Sequence, residues 1–146
     1  MDNAAAANNT NRLSNSATVT MNGGTLRFAN DGGAAKYVEW AGPLSINQNA
    51  NRVLADQAAP SQSSTLTFSS LTRVPGATVD FAGAGLGVDA RNRIMITGQA
   101  EGLIGSWATV NGTNLAAYSA SLGVYAYSEP AYNQQTALPA KRGPAG

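Results

Sequence analysis

Between Ser64 and Phe81 the chain reads STLTFSSLTRVPGATVDF, and no other stretch constrains the fold as strongly. Leu66-Thr67-Phe68 and Val79-Asp80-Phe81 each alternate apolar and polar residues, so an extended strand through either has one apolar face and one polar face. Pro75-Gly76 lies between them. Proline presets φ at the first central position of a turn, and glycine accepts the positive φ of the second. The same order occurs upstream, with Val19-Thr20-Met21, then Gly23-Gly24, then Leu26-Arg27-Phe28. Repeated strand and glycine turn, with no helical periodicity sustained over three turns, predicts an all-β chain built as a coil of short strands.

Further strands are expected at Ala34 to Trp40, Leu44 to Ile46, Arg52 to Ala55, Arg93 to Thr97, Trp107 to Val110, Leu115 to Tyr118 and Leu122 to Tyr127. Asn22-Gly23 and Asn111-Gly112 are strong turn signals because both residue types tolerate positive φ. In a solenoid such a pair marks a corner, and in a hairpin it reverses the chain. The glycine-rich GAGLGVDA is read as another corner, with Leu86 and Val88 turned inward. Its glycine spacing is not a phosphate loop, since no helix and no Lys-Ser/Thr pair follows.

Composition fits stacked strands. Of 146 residues only 12% are charged, against about 25% in ordinary domains. Small neutral side chains take their place, and Thr or Asn can repeat along a sheet face without like-charge repulsion. The net charge of +1 gives no nucleic-acid footprint. The chain contains no Cys and no His, which removes disulfides, thiolate chemistry and the commonest acid–base and metal-binding side chain. No cofactor is expected. The longest apolar runs fall well short of the ~20 residues of a membrane helix, so the chain is not expected to be membrane-embedded.

Residues 1–16 are Asn- and Ala-rich and are expected to be a flexible leader, with Ala4 to Ala7 able to form at most a helical turn. The solenoid domain is expected over 17–132, and 133–146 reads as a Pro- and Gly-containing tail. Such boundaries are expected of one segment of a longer array.

The order LTFSSLTRVPGATVDFAGAGLG, NRIMITG, GLIGSWATVNGTNLAAYSASLGVYAYS, preceded by NGGTLRF, resembles the autotransporter-associated β-strand repeat proteins of bacteria. The resemblance covers roughly Ala17 to Tyr132. It implies a right-handed parallel β-helix of the passenger type, extracellular or on the cell surface, whose partners are neighbouring repeats or identical copies stacked end to end. Turns of about 20 to 25 residues would make about five coils, a body on the order of 25 Å long at ~4.8 Å per coil. Inward positions are expected to be Val19, Met21, Leu26, Phe28, Val38, Trp40, Leu44, Ile46, Leu66, Phe68, Val79, Phe81, Ile94, Ile96, Trp107 and Val110. Open ends would expose unpaired strand edges and invite association.

Candidate chemistry is sparse. Asp80, Asp89 and Glu101 would have to converge in one groove to cleave a glycosidic bond, whereas alternation places them as outward residues beside turns. Arg91 and Arg93 flank Asn92 and could contact an anionic glycan, though Arg91 pairing with Asp89 to tie down a corner is the simpler role. Tyr125 and Tyr127 share one face of LGVYAY. Facing outward they would form a carbohydrate platform, and facing inward they fill the core, which is the ordinary role of such a pair. The expectation is therefore a non-catalytic structural or display segment, with carbohydrate binding through Tyr125, Tyr127, Arg91 and Arg93, or fibre assembly, as alternatives.

Overall fold

A computed structural model describes residues 2–3, 11–30, 35–56 and 60–128. The strands in chain order are β1 (Asp2–Asn3), β2 (Val19–Met21), β3 (Gly24–Asn30), β4 (Lys36–Ala41), β5 (Leu44–Ile46), β6 (Ala50–Ala55) and β7 (Ser63–Phe68). They continue as β8 (Leu71–Arg73), β9 (Thr78–Ala82), β10 (Asn92–Ile96), β11 (Gly102–Leu103), β12 (Ala108–Val110), β13 (Asn114–Ser119) and β14 (Gly123–Ala126). No helix occurs among the described residues. The helical turn expected at Ala4 to Ala7 and the tail 133–146 lie outside them.

The strands stack into three sheets. β2, β5 and β8 form one, and β4, β7 and β10 form the second. The third carries β1, β3, β6, β9 and β12 in parallel, then continues through β13 into the antiparallel strands β11 and β14. Each turn of chain visits each sheet once, so this is a β-solenoid of about three turns. Five were expected. The registers account for the difference: Val19 lies beside Leu44 and Val79 beside Ala108, so a turn takes about 25 to 29 residues. In addition, everything after β12 reverses direction and closes the stack instead of lengthening it.

Alignment in register turns alternation into core rows. In the third sheet Leu26, Val53, Phe81 and Val110 stack inward, one per turn. In the first sheet the rows are Val19, Leu44, Leu71 and Met21, Ile46, Arg73. In the second they are Glu39, Leu66, Ile94 and Ala41, Phe68, Ile96. Most of these side chains are fully buried, and each fully buried Leu, Ile, Val or Phe contributes about 1.5–3 kcal/mol relative to exposure.

Asparagines fasten one turn to the next. Asn51 Oδ1 accepts from Gly23 N at 2.7 Å, and its Nδ2 donates to Thr78 O at 3.1 Å, which spans three turns. Buried Asn92 donates to Ala55 O at 2.8 Å and to Ala84 O at 3.0 Å. Asn111 accepts from Gly83 N at 3.0 Å. These bonds satisfy backbone groups that corners would leave unpaired. The two Asn-Gly signals have different outcomes: Asn22-Gly23 makes a corner between β2 and β3, whereas Asn111-Gly112 reverses the chain between β12 and β13.

Four expected inward positions, Val38, Trp40, Trp107 and Val88, are corrected. β4 faces the other way: Tyr37, Glu39 and Ala41 are buried, Val38 is half-buried, and Trp40 is 51% exposed. Its phase is set by the Gly42-Pro43 corner, which must bring Leu44 inward, and by β7, whose inward Leu66 and Phe68 sit beside Glu39 and Ala41. A Cβ on Gly42 would run into the Ala17 carbonyl oxygen, so the corner cannot be re-aimed. Trp107 is half-buried; Ala108 takes the inward place, and the indole covers the Arg73 guanidinium at 5.1 Å. Val88 is 72% exposed, because the 83–88 turn, with Val88 N donating to Gly85 O, breaks the alternation that leaves Leu86 buried.

The expected leader also contributes to the fold. Asp2–Asn3 pairs with the end of β3, and Leu13 and Ser14 bond to β4 and to the corner after it.

Candidate functional site

The outer face of the β4–β7–β10 sheet holds a groove. Register sets two rows across it, Val38–Thr65–Arg93 and Trp40–Thr67–Met95. The middle strand carries only threonines, while both flanking strands carry long side chains. The result is a mostly apolar groove of about 350 Å³ with a threonine floor, a Trp40 wall on one side and an Arg93–Met95 wall on the other. Lys36 and Thr97 extend the two walls, and Tyr118 closes one end.

No carboxylate lines this groove, and two of its side chains are cationic. Arg93 is half-buried. Its guanidinium lies 3.4 Å from Thr65 Oγ1 and 3.4 Å from the Ser121 carbonyl oxygen. Both contacts are longer than a strong N–H···O bond, so the guanidinium is positioned over the floor without being saturated. Tyr118 is buried, and its hydroxyl accepts from the Ile96 amide at 3.1 Å, a donor that edge strand β10 would otherwise leave open.

The residues singled out from sequence are dispersed. Only Arg93 lies in the groove. Arg91 donates to both Asp89 carboxylate oxygens, at 3.1 and 2.9 Å, and to Pro60 O at 3.2 Å, so it ties a corner. The Arg91 side chain, and then its backbone N–H, hold the Asp89 carboxyl below its ordinary range, and Asp89 raises Arg91 in return. Tyr125 and Tyr127 lie on the antiparallel cap, both half-buried; Val124, beside Tyr118 of β13, takes the core position. The two tyrosines thus neither fill the core nor stand clear of the surface. A Cβ on Gly87, at φ +68°, would meet Tyr125, which shows how closely the tyrosine packs on the 83–88 turn.

The acidic candidates are likewise separate. Asp80 accepts from Thr109 Oγ1 at 2.9 Å and Gly112 N at 2.7 Å, with Arg52 at 3.5 Å. Glu101 accepts from Ala120 N at 2.8 Å. Among the described residues no three acidic side chains gather as a metal site would require.

Sequence reasoning passed over Trp40, Thr65, Thr67 and Met95. The signal was present as Thr-x-Thr in β7, but it acquires meaning only when register sets it between taller neighbours. Compared with known proteins, the chain matches no protein-family model, no curated protein and no solved structure.

Proposed function

We propose that this chain is a non-catalytic structural segment of a larger extracellular or cell-surface protein, a rigid spacer that presents its lateral faces. The observation that carries this reading is the use of its acids. Asp80, Asp89 and Glu101 each accept backbone N–H bonds at a different place, so their chemistry is spent on holding turns. The asparagine ties between turns and the parallel core rows serve the same end. The right-handed winding that the family resemblance implies is supported by the general preference for right-handed crossovers between parallel strands. The resemblance supports an exported location.

The test is a screen of the full chain against acidic and neutral polysaccharides, with limited proteolysis alongside. The expected result is no cleavage of any of them and one protease-resistant block spanning the stacked strands. Cleavage of a polysaccharide that Asp80→Asn abolishes, with the fold intact, would sink the reading.

A further inference from the structure

We infer that the groove on the β4–β7–β10 face is a binding site for a short acidic oligosaccharide, one carrying uronate-type carboxylates. This goes beyond the spacer reading and does not depend on it. Four observations converge.

Trp40 is 51% exposed on a face whose register neighbour, Thr67, is short, so its indole stands clear as an apolar plane. An aromatic side chain with one face open accepts the C–H face of a sugar ring, and tryptophan supplies large contact area at small entropic cost. Beside it, half-buried Thr65 offers a hydroxyl that both donates and accepts, matching the hydroxyls of a sugar, while Thr67 lies buried in the floor. At the edges, Arg93 and Lys36 supply positive charge with no acid in the lining. The Arg93 guanidinium, held by two 3.4 Å contacts, can exchange them for a bidentate carboxylate. Finally, the groove volume of about 350 Å³ lies at the small end of ligand-sized clefts, which run from ~300 to 1,000 Å³.

The charge distribution argues against another anionic occupant. Single-stranded nucleic acid requires a basic track along several nucleotides, and this chain has net charge +1 with its nine basic residues scattered.

The test uses the full chain and calorimetric titration with a short oligogalacturonate, with its methyl-esterified neutral counterpart, and with an oligothymidylate. The expected result is binding of the acidic oligosaccharide that weakens as salt is raised, and weaker binding of the ester. Trp40→Ala should weaken binding by about tenfold or more. Arg93→Gln and Lys36→Gln should each weaken it by roughly threefold to tenfold for the acid and leave the ester little changed. Because Trp40 projects from the surface, Trp40→Ala should keep the wild-type circular dichroism, and Trp40→Phe should retain part of the affinity. No binding of the oligogalacturonate at millimolar concentration, equal affinity for acid and ester, wild-type affinity in Trp40→Ala, or tighter binding of the oligothymidylate in the same groove would each overturn the proposal.

Discussion

The two ends of this solenoid solve one problem by different chemistry. A stack of parallel strands exposes its last core row and the unpaired backbone of its last strands at each end. At the N-terminal end the residue facing outward along the stack in the second sheet is Glu39, fully buried, whose Oε1 accepts from the Leu13 N–H at 2.7 Å. Ser14 O accepts from Gly42 N at 3.0 Å, and Leu13 packs on the core beside them. At the C-terminal end the cover is larger and mostly apolar. β12 turns back into β13, and Ala116, Tyr118 and Val124 join the core cluster. Trp107 lies over the terminal Arg73. One end is a polar clasp made by the non-strand segment around Leu13 and Ser14 together with the short β1–β3 pairing, and the other is a packed antiparallel sheet. The lesson is that the ends should differ in how much stability a single residue carries.

The largest effect is expected at the C-terminal end. Tyr118→Ala removes a buried aromatic ring and should cost about 3–5 kcal/mol, read as a fall in denaturation midpoint with unchanged slope. Tyr118→Phe removes only the acceptor for the Ile96 amide and should cost about 1 kcal/mol. A small effect of Tyr118→Ala would mean that the cap is not packed as described.

Next comes the polar clasp. Glu39→Ala leaves the Leu13 N–H without its acceptor and should cost about 1–3 kcal/mol, whereas Glu39→Gln keeps an acceptor oxygen and should cost less. If the two ends are independent, Glu39→Ala and Tyr118→Ala should combine additively to within about 0.5 kcal/mol. A larger coupling would show that the ends communicate through the core rows.

Smaller still is the stacking of Trp107 on Arg73. Arg73→Met retains much of the side-chain bulk but loses the charge, and it should cost about 0.5–2 kcal/mol in thermal denaturation. Fluorescence of Trp107 in a Trp40→Phe background should shift in the same variant, and an unchanged spectrum would separate the indole from the guanidinium.

The smallest effect concerns the 83–91 turn, which packs against the cap through Gly87. Asp89 is held below its ordinary value of about 3.9, chiefly by the Arg91 side chain and then by its N–H. A depressed folded value means that the contribution is fully present above the unfolded value and is lost as pH falls through the folded one. Protection of the Arg91 amide, taken relative to its intrinsic exchange rate at each pH, should therefore fall only in the acid range, and Asp89→Asn should remove that pH dependence. Protection already lost at neutral pH would contradict the pairing.

Much of the strand map was legible because period-two alternation and Gly, Pro and Asn corners are local signals. Val19–Met21, Leu44–Ile46 and Thr78–Ala82 fall where their patterns put them. What was not legible was phase. AAKYVEW has bulky residues on both faces, so alternation describes two faces without saying which one is inside; register with β7 and the Gly42 corner decide it. The groove was hidden for the same reason, since Trp40 had been assigned to the core. Coil number was hidden because loop length adds to a turn without adding to a strand, as between β9 and β10. Arg93 was found from its charge, whereas Tyr125 and Tyr127 drew attention as aromatics on a strand that belongs to the cap.

The central claim is that chain segments one turn apart lie side by side in parallel register. Because the chain has no cysteine, the most direct test is the double variant Thr20→Cys/Ser45→Cys, two outward positions paired between β2 and β5. A Thr20→Cys/Thr72→Cys variant serves as comparison, since those positions sit two strands apart, at ~9.5 Å, beyond the ~7 Å that a disulfide can span. On mild oxidation of dilute protein the first pair should close within one chain and the second should stay reduced. Closure of the second pair but not the first, or links formed only between chains, would contradict the stacked solenoid.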